Sequence, residues 1–218
     1  SDLLLLELPP PSSEWAFEDT NIRDLQEEGL TGENVRLCMV DTGISLSHSA
    51  LAGSSVEFKD FVGGELSPVD YGSISHGTLM AGLLLSSGYQ DGIARGITLG
   101  MAAALSADGE ENTGSESRVA SAIRWCIFDF EADIISLSLG GEQDQESSRE
   151  GATVSATRQA LDLGIYVVAA AGNDGGSSDD GYVSAPGNVP LAITVGASDR
   201  FNEVWSKSSV GEQVDSDG

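Results

Sequence analysis

Lysine is almost missing from this chain. Its 218 residues hold ten Lys plus Arg against 35 Asp plus Glu, a formal net charge of −25. Only Lys59 and Lys207 are lysines. A chain so poor in cations cannot cluster the positive charge that a phosphate backbone demands, which excludes nucleic acid as a partner. The same deficit excludes an anionic membrane surface. Long apolar runs are missing too, and nothing approaches the roughly 18 residues of a membrane-spanning helix. The run Leu3–Leu6 is too short for a signal-peptide core and has no basic residue before it. No initiator Met precedes it, so the chain is expected to start inside a longer precursor. Cysteine is scarce, with Cys38 and Cys126 each inside an apolar run and no CxxC spacing. That excludes a thiolate zinc site. The expectation is two small buried thiols, with a disulfide as the alternative. Neither GxGxxG after a strand nor a Walker motif occurs, which argues against a nucleotide-binding domain.

What is present is a globular composition. Forty per cent of residues are apolar and 21% are charged, at a length that suits one large domain or two small ones. The acidic, lysine-poor surface fits a salt-adapted source, where self-repulsion is screened. An ordinary acidic protein kept soluble by its charge is the alternative.

The pattern alternates strands and helices. Residues 2–8 read as a strand that the prolines at 9–11 cannot continue. Residues 1–14 are therefore set apart as an N-terminal strand and linker, and 15–218 as the main domain. Ile22 and Leu25, with Gly29 as a stop, predict a short helix. Residues 35–40 predict a strand buried on both faces, ending at Asp41. A helix is expected from Ser75-His76 to Leu85, with Ser75 as its N-cap and Gly77, Ala81 and Gly82 allowing close approach to its neighbours. Residues 97–105 read as a strand. Residues 115–129 read as a helix with Val119, Ile123, Cys126 and Ile127 on one face. Strands follow at 133–139, 165–171 and 191–197, with a helix at 151–163. Acidic and glycine-rich stretches at 108–117, 140–150 and 172–181 read as surface loops. This order predicts a three-layer α/β fold, a mostly parallel sheet with helices on both faces.

Parallel sheets place ligands at the carboxyl ends of their strands. Asp41 follows the 35–40 strand, Ser138-Leu139-Gly140-Gly141 the next, and Ala170-Ala171-Gly172-Asn173 a third. His76 opens a helix. A carboxylate can hold an imidazole in one tautomer, the imidazole can take a proton from a nucleophile, and an amide NH₂ can donate to an oxyanion.

The runs Asp41-Thr42-Gly43, Ser75–Gly82, Ser138–Gly141 and Ala169–Asn173 resemble the subtilisin-like serine proteases (peptidase S8, the subtilases), in the family's order and at similar spacing. Ala185-Pro186-Gly187, Val195-Gly196-Ala197 and Ser208–Gly211 look like segments that follow the Asn in that family. The resemblance runs from about Trp15 to Ser209. It implies Asp41 as the orienting carboxylate, His76 as general base and acid, and Asn173 as oxyanion donor. It implies that Ser138, Leu139, Gly140 and Gly172 border the bound peptide. It also implies a peptide or protein substrate, no cofactor for the chemistry, secretion, and an inhibitory prodomain whose last strand residues 2–8 could be. His48 corresponds to a His of structural rather than catalytic role.

One departure matters. The family's nucleophile lies in Gly-Thr-Ser-x-Ala, well downstream of the Asn, and no such motif occurs here; Gly77-Thr78-Leu79-Met80-Ala81 carries Leu79 at the Ser position. The peptidase domain is therefore expected to be incomplete at its C-terminus, and these residues alone to form no acyl-enzyme. A Ser-less pseudoprotease that binds peptides, or one half of a split enzyme, is the alternative. Without the nucleophile helix, an apolar face of the sheet should stand uncovered. The acidic runs 108–111 and 174–180 lack EF-hand spacing and read as solvated loops, although relatives hold structural calcium in such loops. Glu110 and Glu111 could border the groove and favour basic substrate residues.

Overall fold

The computed structural model describes residues 14–88, 91–141, 151–176 and 181–211. The strand expected at 2–8 lies outside them. Two short helices, α1 (Glu14–Asp19) and α2 (Ile22–Glu27), precede the first strand. Then come β1 (Arg36–Asp41), β2 (Val56–Asp60), α3 (His76–Leu85) and β3 (Thr98–Ala103). A hairpin of β4 (Ser106–Asp108) and β5 (Glu111–Thr113) leads into α4 (Glu116–Phe128). The chain continues through β6 (Ile134–Leu137), α5 (Ala152–Asp162), β7 (Tyr166–Ala170) and β8 (Ile193–Val195). Six strands form one parallel sheet in the order β2-β3-β1-β6-β7-β8.

Alternation along β1 explains the layers. Cys38 and Val40 point into a core shared with Val119, Ile123 and Ile127 of α4 and Ala156 and Ala160 of α5. Met39 points the other way, into a core with Leu99, Met101, Ile44, and Ala81 and Leu85 of α3. The predicted helix face of α4 is the buried one.

Four expectations need correction. Cys38 and Cys126 are joined in a disulfide across the β1–α4 interface, 88 residues apart in sequence with Cα atoms 5.7 Å apart. Each thiol fills an apolar run, but β1 and α4 turn those runs toward each other. The stretch 108–117, expected as a loop, holds β5, part of β4 and the start of α4. Arg118 pins that hairpin through Nε to the Ala104 carbonyl (2.6 Å) and a guanidinium NH₂ to the Thr113 carbonyl (2.9 Å). Ser75 does not cap α3: it adopts φ 54° and its side chain makes no capping bond. Gly82 is not required for close packing, because a Cβ there would meet nothing within 4 Å.

Among the described residues the second face of the sheet is only half covered. Register places Met39, Ser136, Val168 and Ile193 on one side, the side on which α3 packs. Beyond β6 that side carries Tyr166, Ile193 and Val195, which are 66%, 50% and 51% exposed. Leu79 and Leu83, one turn apart on α3, are exposed as well.

Candidate active site

The sheet changes direction around β1, with β3 on one side and β6 on the other. The crevice outside the strand ends at such a point is where open α/β sheets bind ligands. Asp41 ends β1 and is fully buried. Its Oδ1 lies 2.8 Å from His76 Nδ1 and accepts from the Thr42 N–H at 2.7 Å. Among the described residues Oδ2 has no hydrogen-bond partner, so the imidazole and one backbone N–H carry the compensation for a buried charge. With Asp41 ionised, Nδ1 carries the proton and donates it. Nε2 is then the basic nitrogen. The Asp41 hydrogen bond, opposed by partial burial, holds the His76 imidazolium above the ordinary histidine range, and the charges of Asp41 and Asp70 add to it.

His76 can sit there because Gly77 lets α3 press onto the end of β1. The first turn of α3 is held from outside the helix: the Gly77 N–H donates to Thr42 Oγ1 (2.8 Å) and the Thr78 N–H to Asp70 Oδ2 (2.9 Å).

A cleft of about 680 Å³ opens from His76. One wall is Ser138, Leu139, Gly140 and Gly141 after β6, and the floor includes Gly172 and Asn173 after β7. The antiparallel bridge Gly141–Ala185, with two backbone bonds of 3.1 Å, holds the first of these segments extended. Gly172 has φ 114°, and a Cβ there would crowd the hydroxyls of Ser184 and Ser209. Only glycine takes that backbone and that space. It turns the chain so that Asn173 is exposed at the cleft, with no hydrogen bond of its side chain among the described residues. The structure thus brings Asp41, His76, Asn173, Ser138, Leu139, Gly140 and Gly172 to one place.

The other wall is the β4–β5 hairpin with Glu110 and Glu111. It docks on the loop before His76, through Ser73 N–H to Asn112 Oδ1 (3.1 Å) and Ser73 Oγ–H to the Glu110 carbonyl (3.1 Å). Among the described residues no Lys or Arg lines the cleft, whereas Glu116 and Asp174 add two more carboxylates. His48 lies away from the cleft and accepts from the Ala50 N–H at 3.3 Å, capping a short 3₁₀ turn. Among the described residues no group of three or more His, Cys, Asp or Glu is placed to share a metal ion. Asp179 and Asp180 of the second acidic run lie outside them. No hydroxyl among the described residues bonds the His76 imidazole.

Sequence reasoning missed Asp70 and Thr42. Their only signal was a carboxylate six residues before the histidine and a hydroxyl next to Asp41.

The Subtilase family model matches residues 32–217. Subtilisin NAT of Bacillus subtilis subsp. natto is 33% identical over 194 residues, which cover 88% of this chain and 48% of that protein. The minor extracellular protease Epr of Bacillus subtilis (strain 168) is 30% identical over 210 residues, covering 93% of this chain and 29% of that protein. The chain thus spans about half the length of the first of these relatives and less of the second. Among solved structures, the prenylagaramide maturation protease PagA superposes with a TM-score of 0.70 at 20% identity, over 88% of this chain and 64% of that one, a likeness of fold. Family match, fold and the strand-end site agree, and the chain belongs to the subtilisin-like serine protease family, the subtilases.

Proposed function

We propose that this chain supplies the general base, its orienting carboxylate and the oxyanion donor of a serine endopeptidase, and that the nucleophilic serine follows in the same polypeptide, beyond these 218 residues. The observation that carries the reading is the 2.8 Å bond from His76 Nδ1 to the fully buried Asp41, made at the mouth of the cleft that Asn173 also lines. In this mechanism His76 Nε2 takes the proton of the serine hydroxyl as the oxygen attacks the substrate carbonyl. Asp41 holds the tautomer and stabilises the imidazolium. The Asn173 amide donates to the oxyanion, and His76 returns its proton to the leaving amine. The segment 138–141 and Gly172 border the substrate backbone. This chemistry requires no metal or cofactor.

The half-covered sheet supports the reading. The exposed apolar surface of Tyr166, Ile193 and Val195 suits a buried helix that would bring the nucleophile beside His76. The substrates are peptides or proteins. The carboxylates of Glu110 and Glu111, in a cleft with no Lys or Arg among its described lining residues, favour a cationic residue in the substrate. A disulfide fits folding in an oxidising compartment, and with it secretion. A charge of −25 fits a salt-adapted source. No helix among the described residues is long and apolar enough to cross a membrane.

Sequencing the coding region past codon 218 tests the proposal. A Gly-Thr-Ser-x-Ala motif within the next few tens of codons is expected. An immediate stop codon would contradict it and make the chain a peptide-binding module or half of a split enzyme.

A further inference from the structure

We propose that Asp70 is a positioning residue for His76: together with Thr42 it caps α3 from outside the helix and locks the turn bearing the base onto the strand end that carries Asp41. This assignment rests on the reading of His76 as general base.

A helix starts with N–H groups that have no partner inside it. In α3 the preceding residue, Ser75, makes no capping bond. Asp70 and Thr42 take over that task. Four donors converge on the Asp70 carboxylate. Oδ1 accepts from Thr42 Oγ–H (2.7 Å) and the Gly72 N–H (2.8 Å). Oδ2 accepts from the Thr78 N–H (2.9 Å) and Thr78 Oγ–H (2.5 Å). Because Thr42 spends its proton on Asp70, its oxygen is free to accept from the Gly77 N–H at 2.8 Å. The loop itself is pinned to the continuation of β1, with Tyr71 N–H on the Thr42 carbonyl (2.8 Å) and Ile44 N–H on the Val69 carbonyl (3.1 Å). One carboxylate therefore ties together the strand end, the loop and the first turn of the helix.

The network specifies a carboxyl group rather than an amide. Each Asp70 oxygen faces a backbone N–H, Gly72 on one side and Thr78 on the other. An amide in the same place offers NH₂ to one of them whichever way it is turned, and a backbone N–H cannot reverse its role. Charge acts in addition to geometry, since the charge of Asp70 raises the proton affinity of His76. Other carboxylates face His76 too: Asp41 from β1, Glu110 and Glu111 from the hairpin, and Glu116 and Asp174 across the cleft. Of these, none hydrogen-bonds the backbone of α3 among the described residues; Glu116 bonds the Thr153 N–H instead.

The test uses the 218-residue chain and NMR. His48 and His76 are its only histidines, so two imidazole signals appear and His48 is an internal control. In Asp70→Asn the midpoint of the His76 titration is expected to move to lower pH. Amide exchange at Gly77 and Thr78 is expected to rise about tenfold or more, the loss of a charge-assisted bond. The His48 signal should stay in place. A folded Asp70→Asn chain with unchanged His76 midpoint and unchanged Thr78 exchange overturns the proposal. If that variant does not fold, Thr42→Val and Thr42→Ser decide. Ser should keep the Gly77 exchange of the parent and Val should lose it; equal exchange in both overturns the proposal. Neither readout requires hydrolysis, so a failure of the peptidase reading would be seen separately.

Discussion

Replacing Gly77 by alanine should damage this protein, although helix propensity alone says the opposite. Alanine is favoured over glycine inside a helix by about 1 kcal/mol. At Gly77, however, the new Cβ would overlap the Gly43 carbonyl oxygen and lie 3.0 Å from the Gly43 nitrogen and 3.1 Å from Asp41 Oδ1. The Gly43 atoms are backbone and cannot rotate away. The start of α3 must instead retreat by about 1 Å to restore an ordinary contact. Such overpacking costs about 1–3 kcal/mol, which outweighs the propensity gain at its upper end and cancels it at its lower end. The retreat would also carry His76 beyond hydrogen-bond distance of Asp41, now at 2.8 Å. In a completed enzyme a displacement of that size costs about 100-fold in rate. Gly82 lies in the same helix with nothing within 4 Å of its Cβ position. Gly82→Ala should stabilise by about 0.5–1 kcal/mol. Urea denaturation of both variants against the parent, with the His76 titration followed by NMR, reads all of this. The reasoning is refuted if Gly77→Ala is more stable than the parent and leaves the His76 titration unchanged.

Three further outcomes are expected. Asp41→Asn should lower the His76 midpoint; because the raised affinity contributes stability below about pH 6.5 and loses it as pH rises through the folded value, the parent's advantage should be larger at pH 5.5 than at pH 8.5. Equal advantages at both would show that the bond is not charge-assisted. Closing an 88-residue loop should contribute about 4–5 kcal/mol by chain entropy, so Cys38→Ala with Cys126→Ala should lower the urea midpoint strongly, and a thiol count on the denatured, unreduced parent should find none free. In a completed enzyme, Glu110→Lys with Glu111→Lys should reduce the kcat/KM preference for cationic over neutral peptides roughly three- to tenfold, as expected for exposed charges; an unchanged preference would remove these residues from specificity.

The layer structure was legible where a strand or helix is long enough to show its period, although α1 and β2 were not read from the sequence. Residues 35–40 read as buried on both faces, and β1 buries Cys38 and Val40 on one side and Met39 on the other. The strand-end residues of the cleft were legible for the same reason: Asp41, Ser138 and Gly172 each follow an apolar run. What stayed hidden depends on contacts between distant segments. Ser75 looked like the cap of α3, but Asp70 and Thr42 cap it through the folded structure. Similarly α5 starts at Gly151 without a side-chain cap, and Glu116, 37 residues earlier, accepts the Thr153 N–H instead at 2.8 Å. The hairpin β4–β5 is only three residues a side and acidic, so it carries no apolar alternation to read. The disulfide depended on which faces of β1 and α4 meet, which neither run reveals alone.

The most direct test is covalent labelling with a serine-directed fluorophosphonate. It should be applied to the 218-residue chain and to the polypeptide extended through the downstream coding sequence. The extended polypeptide should label on a serine beyond residue 218, and His76→Ala should abolish that labelling. The 218-residue chain should not label. Labelling of the 218-residue chain that depends on His76 would contradict the account, as would an extended polypeptide that folds and does not label.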